Sequence, residues 1–225
     1  MIRAMNPVLV PVRSLEVMHS TLRAHAEYVC CGSVGSVLDV GCGIRPSVAL
    51  GARKWTGLEA HRPYCEKLAG GSVWSVATSV IEASSLVGPG IPHGAVVCHD
   101  ARLGIPFGRG TFDFVWASDF IEHLSREDGL RFLAEASRVA RFGTFVLTPL
   151  GFLEQEHKGD LDPWGMDGGA WQSHLSGWEP VDLGCSNAWV VRGMVTATWR
   201  EGRRVPLPSP RDWFAGFVPS SSGVL

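Results

Sequence analysis

Three groups of residues in this sequence have the types and spacing to do chemistry. The first is the run Val37-Leu38-Asp39-Val40-Gly41-Cys42-Gly43, followed by the acid Glu59. An apolar run that stops at Gly-x-Gly reads as a buried strand turning sharply, and two residues without a Cβ let a ligand lie against bare backbone. An acid at the end of the next strand is placed to accept both hydroxyls of a ribose. The second group is His99-Asp100-Ala101, a strand-end acid beside a small residue. The third is Ser118-Asp119-Phe120-Ile121-Glu122-His123-Leu124, with His174-Leu175-Ser176-Gly177-Trp178 further on. Its carboxylates and imidazoles are groups that can take a proton from an oxygen nucleophile. Taken singly, each piece has a plainer meaning: a tight turn, a helix cap, a histidine bonded to local backbone.

These residues need elements to hold them. Apolar positions at helical spacing (Leu15, Met18, Leu22, Ala26, Val29) predict a helix over 12–31. Short apolar runs predict strands at Val37–Val40, Trp55–Glu59, Ala95–Cys98, Phe112–Ala117 and Thr144–Thr148. A short helix is expected from Pro46 and another over Arg62–Leu68, while Val73–Ile81 fits either helix or strand. From Arg126 to Arg141, the recurrence of Leu130, Leu133, Ala134 and Ser137 marks one face of a helix. Strands alternating with helices imply a doubly wound α/β fold with a mostly parallel sheet, whose ligands belong at the carboxyl ends of the strands.

The pattern breaks at 150–178 into Gly, Asp and Trp, a stretch long enough for a lid or pocket wall. Trp189–Val191 and Met194–Trp199 read as a closing hairpin pivoting near Gly193, and the proline-rich residues beyond it as an irregular tail. The expected organisation is one domain over 1–204, with a core at 35–148, a substrate-side insertion at 149–180, a hairpin at 188–200 and the tail at 205–225.

Composition narrows the classes. The chain has 225 residues and a formal net charge of −2, so no polybasic footprint points to nucleic acid or to an anionic membrane. No apolar run approaches a membrane span and no signal peptide opens the chain, so a cytoplasmic protein acting on a small-molecule substrate is expected. Cys30, Cys31, Cys42, Cys65, Cys98 and Cys185 form no Cys-x-x-Cys pair and read as reduced core thiols. The spacing predicts no oligomeric state. A dinucleotide cofactor is disfavoured: Pro46 stands where its fingerprint needs a third glycine, and Asp39 would repel a pyrophosphate.

Residues 37–148 resemble the class I S-adenosylmethionine-dependent methyltransferases, in the order Leu38-Asp39-Val40-Gly41-Cys42-Gly43, Glu59, His99-Asp100-Ala101 and Phe112 through Leu124. The resemblance implies a Rossmann-like seven-stranded sheet with a terminal antiparallel hairpin, and S-adenosyl-L-methionine as cofactor. It implies that Gly41, Cys42 and Gly43 border the methionyl part, with Asp39 near its ammonium. Glu59 then holds the ribose, Asp100 the adenine amino group with Ala101 against the ring, and Ser118 and Asp119 border the transfer cleft. Sulfonium is already an activated leaving group, so the protein must align a nucleophile and help remove its proton. Asp119, His123 and His174 are the candidate catalytic residues for that step.

Asp119, Glu122, His123 and His174 are also similar to the Glu-x-x-Glu-His plus distant His set of metal-dependent methyltransferases that modify the 3′-terminal ribose of small RNAs. Asp119 is shorter than the glutamate of that set, and metal-free relatives carry the same Glu-His pair, so no metal ligand is assigned. The expected activity is methylation of an oxygen or nitrogen of a small metabolite, glycan or natural-product intermediate. The alternatives are the metal-assisted RNA ribose 2′-O-methyltransferase and a non-catalytic cofactor- or partner-binding module. On the substrate side, Trp164, Trp171 and Trp178 are candidate apolar walls, and Gln155, His157 and Gln172 candidate polar contacts.

Overall fold

The computed structural model describes residues 7–44, 49–69, 74–77, 94–156, 160–162, 164–185, 187–200 and 203–220. Pro46 with its short helix, most of Val73–Ile81, and His157 lie outside them. The chain divides into two compact units, one made of 1–18, 119–130 and 146–218, the other of 19–118, 131–145 and 219–225.

The second unit carries the parallel sheet. Strands β2 (Ser36–Val40), β3 (Lys54–Glu59), β4 (Trp74–Ala77), β5 (Gly94–Cys98) and β6 (Phe112–Ser118) stand in the order β6-β2-β3-β5-β4, every neighbouring pair parallel. From β2 the chain builds outward to β3, β5 and β4, then returns to place β6 on the other side of β2. That reversal opens a crevice at the carboxyl ends of β2 and β6, where ligands of open α/β sheets bind. The interior strands are buried along nearly their whole length, as sheets covered on both faces require. Helix α1 (Leu15–Val29) buries Met18, Leu22 and Ala26 fully, the face its periodicity predicts. Helix α2 (Arg62–Ala69) buries Tyr64, Cys65 and Leu68.

Helix α3 (Arg126–Val139) forms where predicted but presents a different face. Leu130 is 50% exposed, whereas Phe132, Ala136 and Val139 are buried. Strand β7 (Ala140–Pro149) follows α3 directly and extends the expected Thr144–Thr148 strand at both ends.

The first unit contains two elements that the sequence reading did not anticipate. Strand β1 (Val8–Val12) pairs in parallel with β8 (Asn187–Arg200), its proline and its exposed Val8 and Leu9 suiting an edge. Strand β9 (Arg203–Pro219) occupies the residues expected to be an irregular tail. The hairpin is therefore β8 against β9, with Trp189 opposite Ala215 and Val190 opposite Phe214. Gly193 is not its pivot. It lies within β8 at φ 65°, inside the register shift between Val191 and Val195, and its N–H donates to Asp212 Oδ1 at 2.8 Å, as at a bulge. The physical reason is burial: Phe214 and Ala215 are fully buried, and that apolar run outweighs the prolines, which cluster towards the far end of the hairpin.

Candidate active site

In the parallel-sheet unit, the Gly-x-Gly loop and its acid meet. Gly41 and Gly43 both adopt left-handed backbone, at φ 68° and 57°. The Gly41 N–H donates to Leu58 O at 2.8 Å, which turns the chain across the end of β3. Glu59, 7% exposed, accepts from the Gly43 N–H through Oε2 at 2.9 Å and from the His61 N–H through Oε1 at 2.8 Å. Its carboxylate thus splints the loop to β3, with its remaining lone pairs left for a ligand. Burial pushes its pKa up while the backbone donors pull it down, and burial wins. A Cβ built on Gly43 would meet no atom of the described residues within 4 Å, so among them the loop is not packed against protein at that point.

The other residues assigned to this half are placed more variously. Asp39 is 3% exposed and accepts from Trp55 Nε1 at 3.1 Å, in the core beneath the loop. The Cys42 side chain packs inward with Trp55, Cys65, Leu68 and Val96, which leaves its backbone to line the loop. Burial, with Asp39 and Glu59 nearby, raises its thiol well above the ordinary range, so it is an inert core thiol. Asp100 caps the short 3₁₀ turn Ala101–Leu103, accepting from the Arg102 N–H at 2.9 Å and pairing with its guanidinium at 2.6 Å. Partial burial pushes Asp100 up, but the Arg102 contacts outweigh it and hold it below its usual value. Cys98 stands opposite Glu59, and His99 donates to Glu59 O at 2.9 Å, so Asp100 and Ala101 follow the same strand edge as Glu59. Ser118 ends β6.

The other unit gathers the second set. Asp119 takes φ 51°, a left-handed conformation uncommon for a residue with a side chain, and its N–H donates to Leu147 O at 3.0 Å. The turn that follows, Ile121–His123, places Glu122 at 2% exposure. Thr148 Oγ1 donates to Glu122 Oε2 at 2.9 Å, while Oε1, also buried, receives no N–H or alcohol donor among the described residues. The segment bearing His174 is tied to the same turn: Leu175 and Ser176 N–H groups donate to Glu122 O at 2.8 and 3.1 Å, and Trp178 Nε1 to Ile121 O at 3.3 Å. The rings of His123 and His174 consequently lie edge to face, 4.8 Å between centroids. Each ring uses Nδ1 on a backbone carbonyl, His123 on Ser173 O at 3.1 Å and His174 on Leu153 O at 2.7 Å.

The surroundings decide the charge states. Protein packed around Asp119 pushes its carboxyl up to about 7, although the residue reaches solvent. Burial and the Asp119 charge push Glu122 well above the ordinary carboxylate range. Burial and the neighbouring His174 lower His123 to about 3, and burial lowers His174. Burial thus biases both imidazoles towards the neutral form and both carboxyls towards the protonated form. The structure brings His123 and His174 together across fifty-one positions and pairs Asp119 with Glu122.

Of the insertion tryptophans, Trp178 is an anchor: it is fully buried, and Arg126 lies over its ring at 4.0 Å. Trp164 and Trp171 are 43% and 37% exposed and can face a ligand. Gln155 Nε2 donates to Gln172 O at 2.8 Å and His174 N–H to Gln155 O at 2.9 Å, so this pair braces the His174 segment. Sequence reasoning missed Thr148 and Ser176, polar residues whose role is visible only through Glu122 and Trp178; nothing in their local pattern marks them.

Residues 38–148 match the family model described as a methyltransferase domain. Over those residues, just under half of its length, the chain carries a methyltransferase domain. No curated protein matches the sequence. Among solved structures, the chain is similar to a protein of Bacillus halodurans C-125 assigned as a methyltransferase, at 12% identity, over 89% of this chain and 99% of that one, with a TM-score of 0.50. It is also similar to magnesium protoporphyrin IX methyltransferase of Synechocystis PCC 6803, solved with bound S-adenosylhomocysteine, at 12% identity over 89% and 82%, TM-score 0.41. Against the YcgJ protein of Bacillus subtilis the identity is 17% over 59% and 52%, TM-score 0.41. The chain spans only about half the length of several of the structures it matches, 46 to 54% of each. The first of these likenesses supports the fold: a mostly parallel α/β sheet with an antiparallel hairpin. Among the described residues, no helix is long and apolar enough to cross a membrane.

Proposed function

We propose that this protein transfers the methyl group of S-adenosylmethionine to an oxygen or nitrogen of a small metabolite, glycan or natural-product intermediate. The observation that carries this reading is Asp119: a solvent-reaching carboxyl held near neutrality and paired with Glu122, whose chain neighbour His123 packs against His174. A base whose pKa sits close to ambient pH is the group best matched to take a proton from a hydroxyl as the methyl arrives, or from an ammonium before its nitrogen attacks. Gly41, Gly43 and Glu59 bind the methionyl and ribose parts of the donor, with Asp100 and Ala101 at the adenine. Asp39 and Cys42 support the loop from below. Trp164 and Trp171 offer flat apolar surface to a sugar or ring.

The test is S-adenosylhomocysteine release with a panel of small hydroxyl and amine acceptors, set beside RNA bearing a free 3′-terminal ribose. Turnover of a small acceptor, lost in Asp119→Asn, supports the reading. Turnover of RNA alone overturns the acceptor class, and donor binding without turnover of any acceptor favours a non-catalytic module.

A further inference from the structure

We infer that Glu122, His123 and His174 form a binding site for one divalent metal ion of the borderline class, such as Zn²⁺. One carboxylate oxygen of Glu122 and one ring nitrogen of each histidine lie within 4.8 Å of one another. Ligands sharing an ion at about 2.1 Å stand roughly 3 to 4 Å apart, so side-chain rotation of about an ångström closes the set around a cation.

Two further observations point the same way. Both histidines spend Nδ1 on a backbone carbonyl, Ser173 O and Leu153 O. That contact fixes the Nδ1–H tautomer and leaves each Nε2 lone pair available, the second-layer arrangement that metal-bound histidines use. Glu122 presents Oε1 with no N–H or alcohol donor on it among the described residues, on a residue only 2% exposed, while Thr148 orients the carboxylate through Oε2. A buried carboxylate oxygen without such a donor is satisfied by a cation or by a proton shared with a second carboxyl.

Two imidazoles and one carboxylate suit Zn²⁺, Co²⁺, Fe²⁺ or Mn²⁺ better than the all-oxygen preferences of Ca²⁺ and Mg²⁺. Three protein ligands leave a coordination position open, as catalytic rather than structural metal sites do. Asp119 is not counted as a ligand. An acceptor oxygen bound there would be polarised by the ion.

This site is read from the geometry of its own residues, so its test needs neither donor nor acceptor. The full chain, stripped with chelator, is titrated with Zn²⁺ by calorimetry and with Co²⁺ by visible absorption, with Ca²⁺ and Mg²⁺ as controls. One equivalent of Zn²⁺ and of Co²⁺, the latter with tetrahedral or five-coordinate d–d bands, and at least tenfold weakening in Glu122→Gln and His174→Gln, is the expected result. Thermal melts of the metal-free variants establish that they fold. No stoichiometric binding to the wild-type chain overturns the site, as does binding unchanged in both variants or equally tight for Mg²⁺. None of those failures bears on methyl transfer, which is read by S-adenosylhomocysteine release in chelator.

Discussion

The indole of Trp178 occupies the space in which a side chain on Gly129 would stand: a Cβ there would run into the Cζ2 edge of the ring. Trp178 is fully buried and donates to both Ile121 O and Ser176 Oγ, so it cannot move aside cheaply. Gly129→Ala should gain up to about 1 kcal/mol of helix propensity and lose more through overpacking, on the order of 1–3 kcal/mol. A lower urea midpoint with unchanged m is expected. A stabilised variant would show that the ring is free to shift.

Glu59 holds two backbone donors, so its removal acts on the loop as well as on the ligand. Glu59→Ala should weaken S-adenosylhomocysteine binding at least tenfold by calorimetry. It should also cost about 1–3 kcal/mol of stability, the penalty of leaving buried N–H groups unpaired. Unchanged binding would remove Glu59 from the site.

Gly43 separates conformational from ligand effects. Its φ of 57° makes Gly43→Ala strained by about 1–2 kcal/mol, yet the added methyl meets no atom of the described residues. A loss of S-adenosylhomocysteine affinity larger than the drop in stability is expected, because the methyl enters the volume assigned to the cofactor. Equal losses in both would mean that the loop borders no ligand.

Asp119 should give the reaction an acid limb. With its carboxyl raised to about 7, the proton-accepting form grows as pH rises, and kcat/KM with a hydroxyl acceptor should climb through that value and level off above it. Asp119→Asn should lower kcat by about 10²-fold or more and erase the limb. A limb that persists in the variant assigns it to another group.

His123 sets a stability slope of definite sign. Its folded pKa, lowered to about 3 by burial and by His174, lies below the 6.5 of the unfolded chain. Below pH 6.5 the unfolded state takes up a proton that the folded state refuses, so the contribution is complete above 6.5 and lost as pH falls towards 3. The slope is at most about 1.4 kcal/mol per pH unit for this group. The raised carboxyls Glu59 and Glu122 act in the opposite sense, losing stability as pH rises above their unfolded values. Comparing His123→Asn with the wild type isolates the histidine. Urea midpoints in chelator at pH 7.5, 6.0 and 5.0 should fall less steeply in the variant.

Much of this protein was legible in local pattern. Strands β2, β3, β5 and β6 announce themselves as continuous Val, Leu and Phe runs because both faces are buried, and the buried face of α1 repeats at helical period. Gly41, Gly43 and Glu59 stand out because a left-handed turn with an acid partner restricts residue type within a short window. Where competing signals met, pattern misled. Prolines at 206, 208 and 210 masked a β9 that Phe214 and Ala215 pull into the core, and Leu130 was taken for core when Phe132 and Val139 are.

What local sequence alone determined, then, is the parallel sheet and its glycine loop, since backbone conformation and burial period act between near neighbours. Tertiary structure alone decided the state of the second site. Nothing near His174 in the chain says that Leu153 O fixes its tautomer, that Glu122 O ties its segment down, or that His123 lies against its ring. Those contacts close loops of twenty to fifty residues, and the desolvation that moves Asp119 and His123 in opposite directions exists only once the loops are closed.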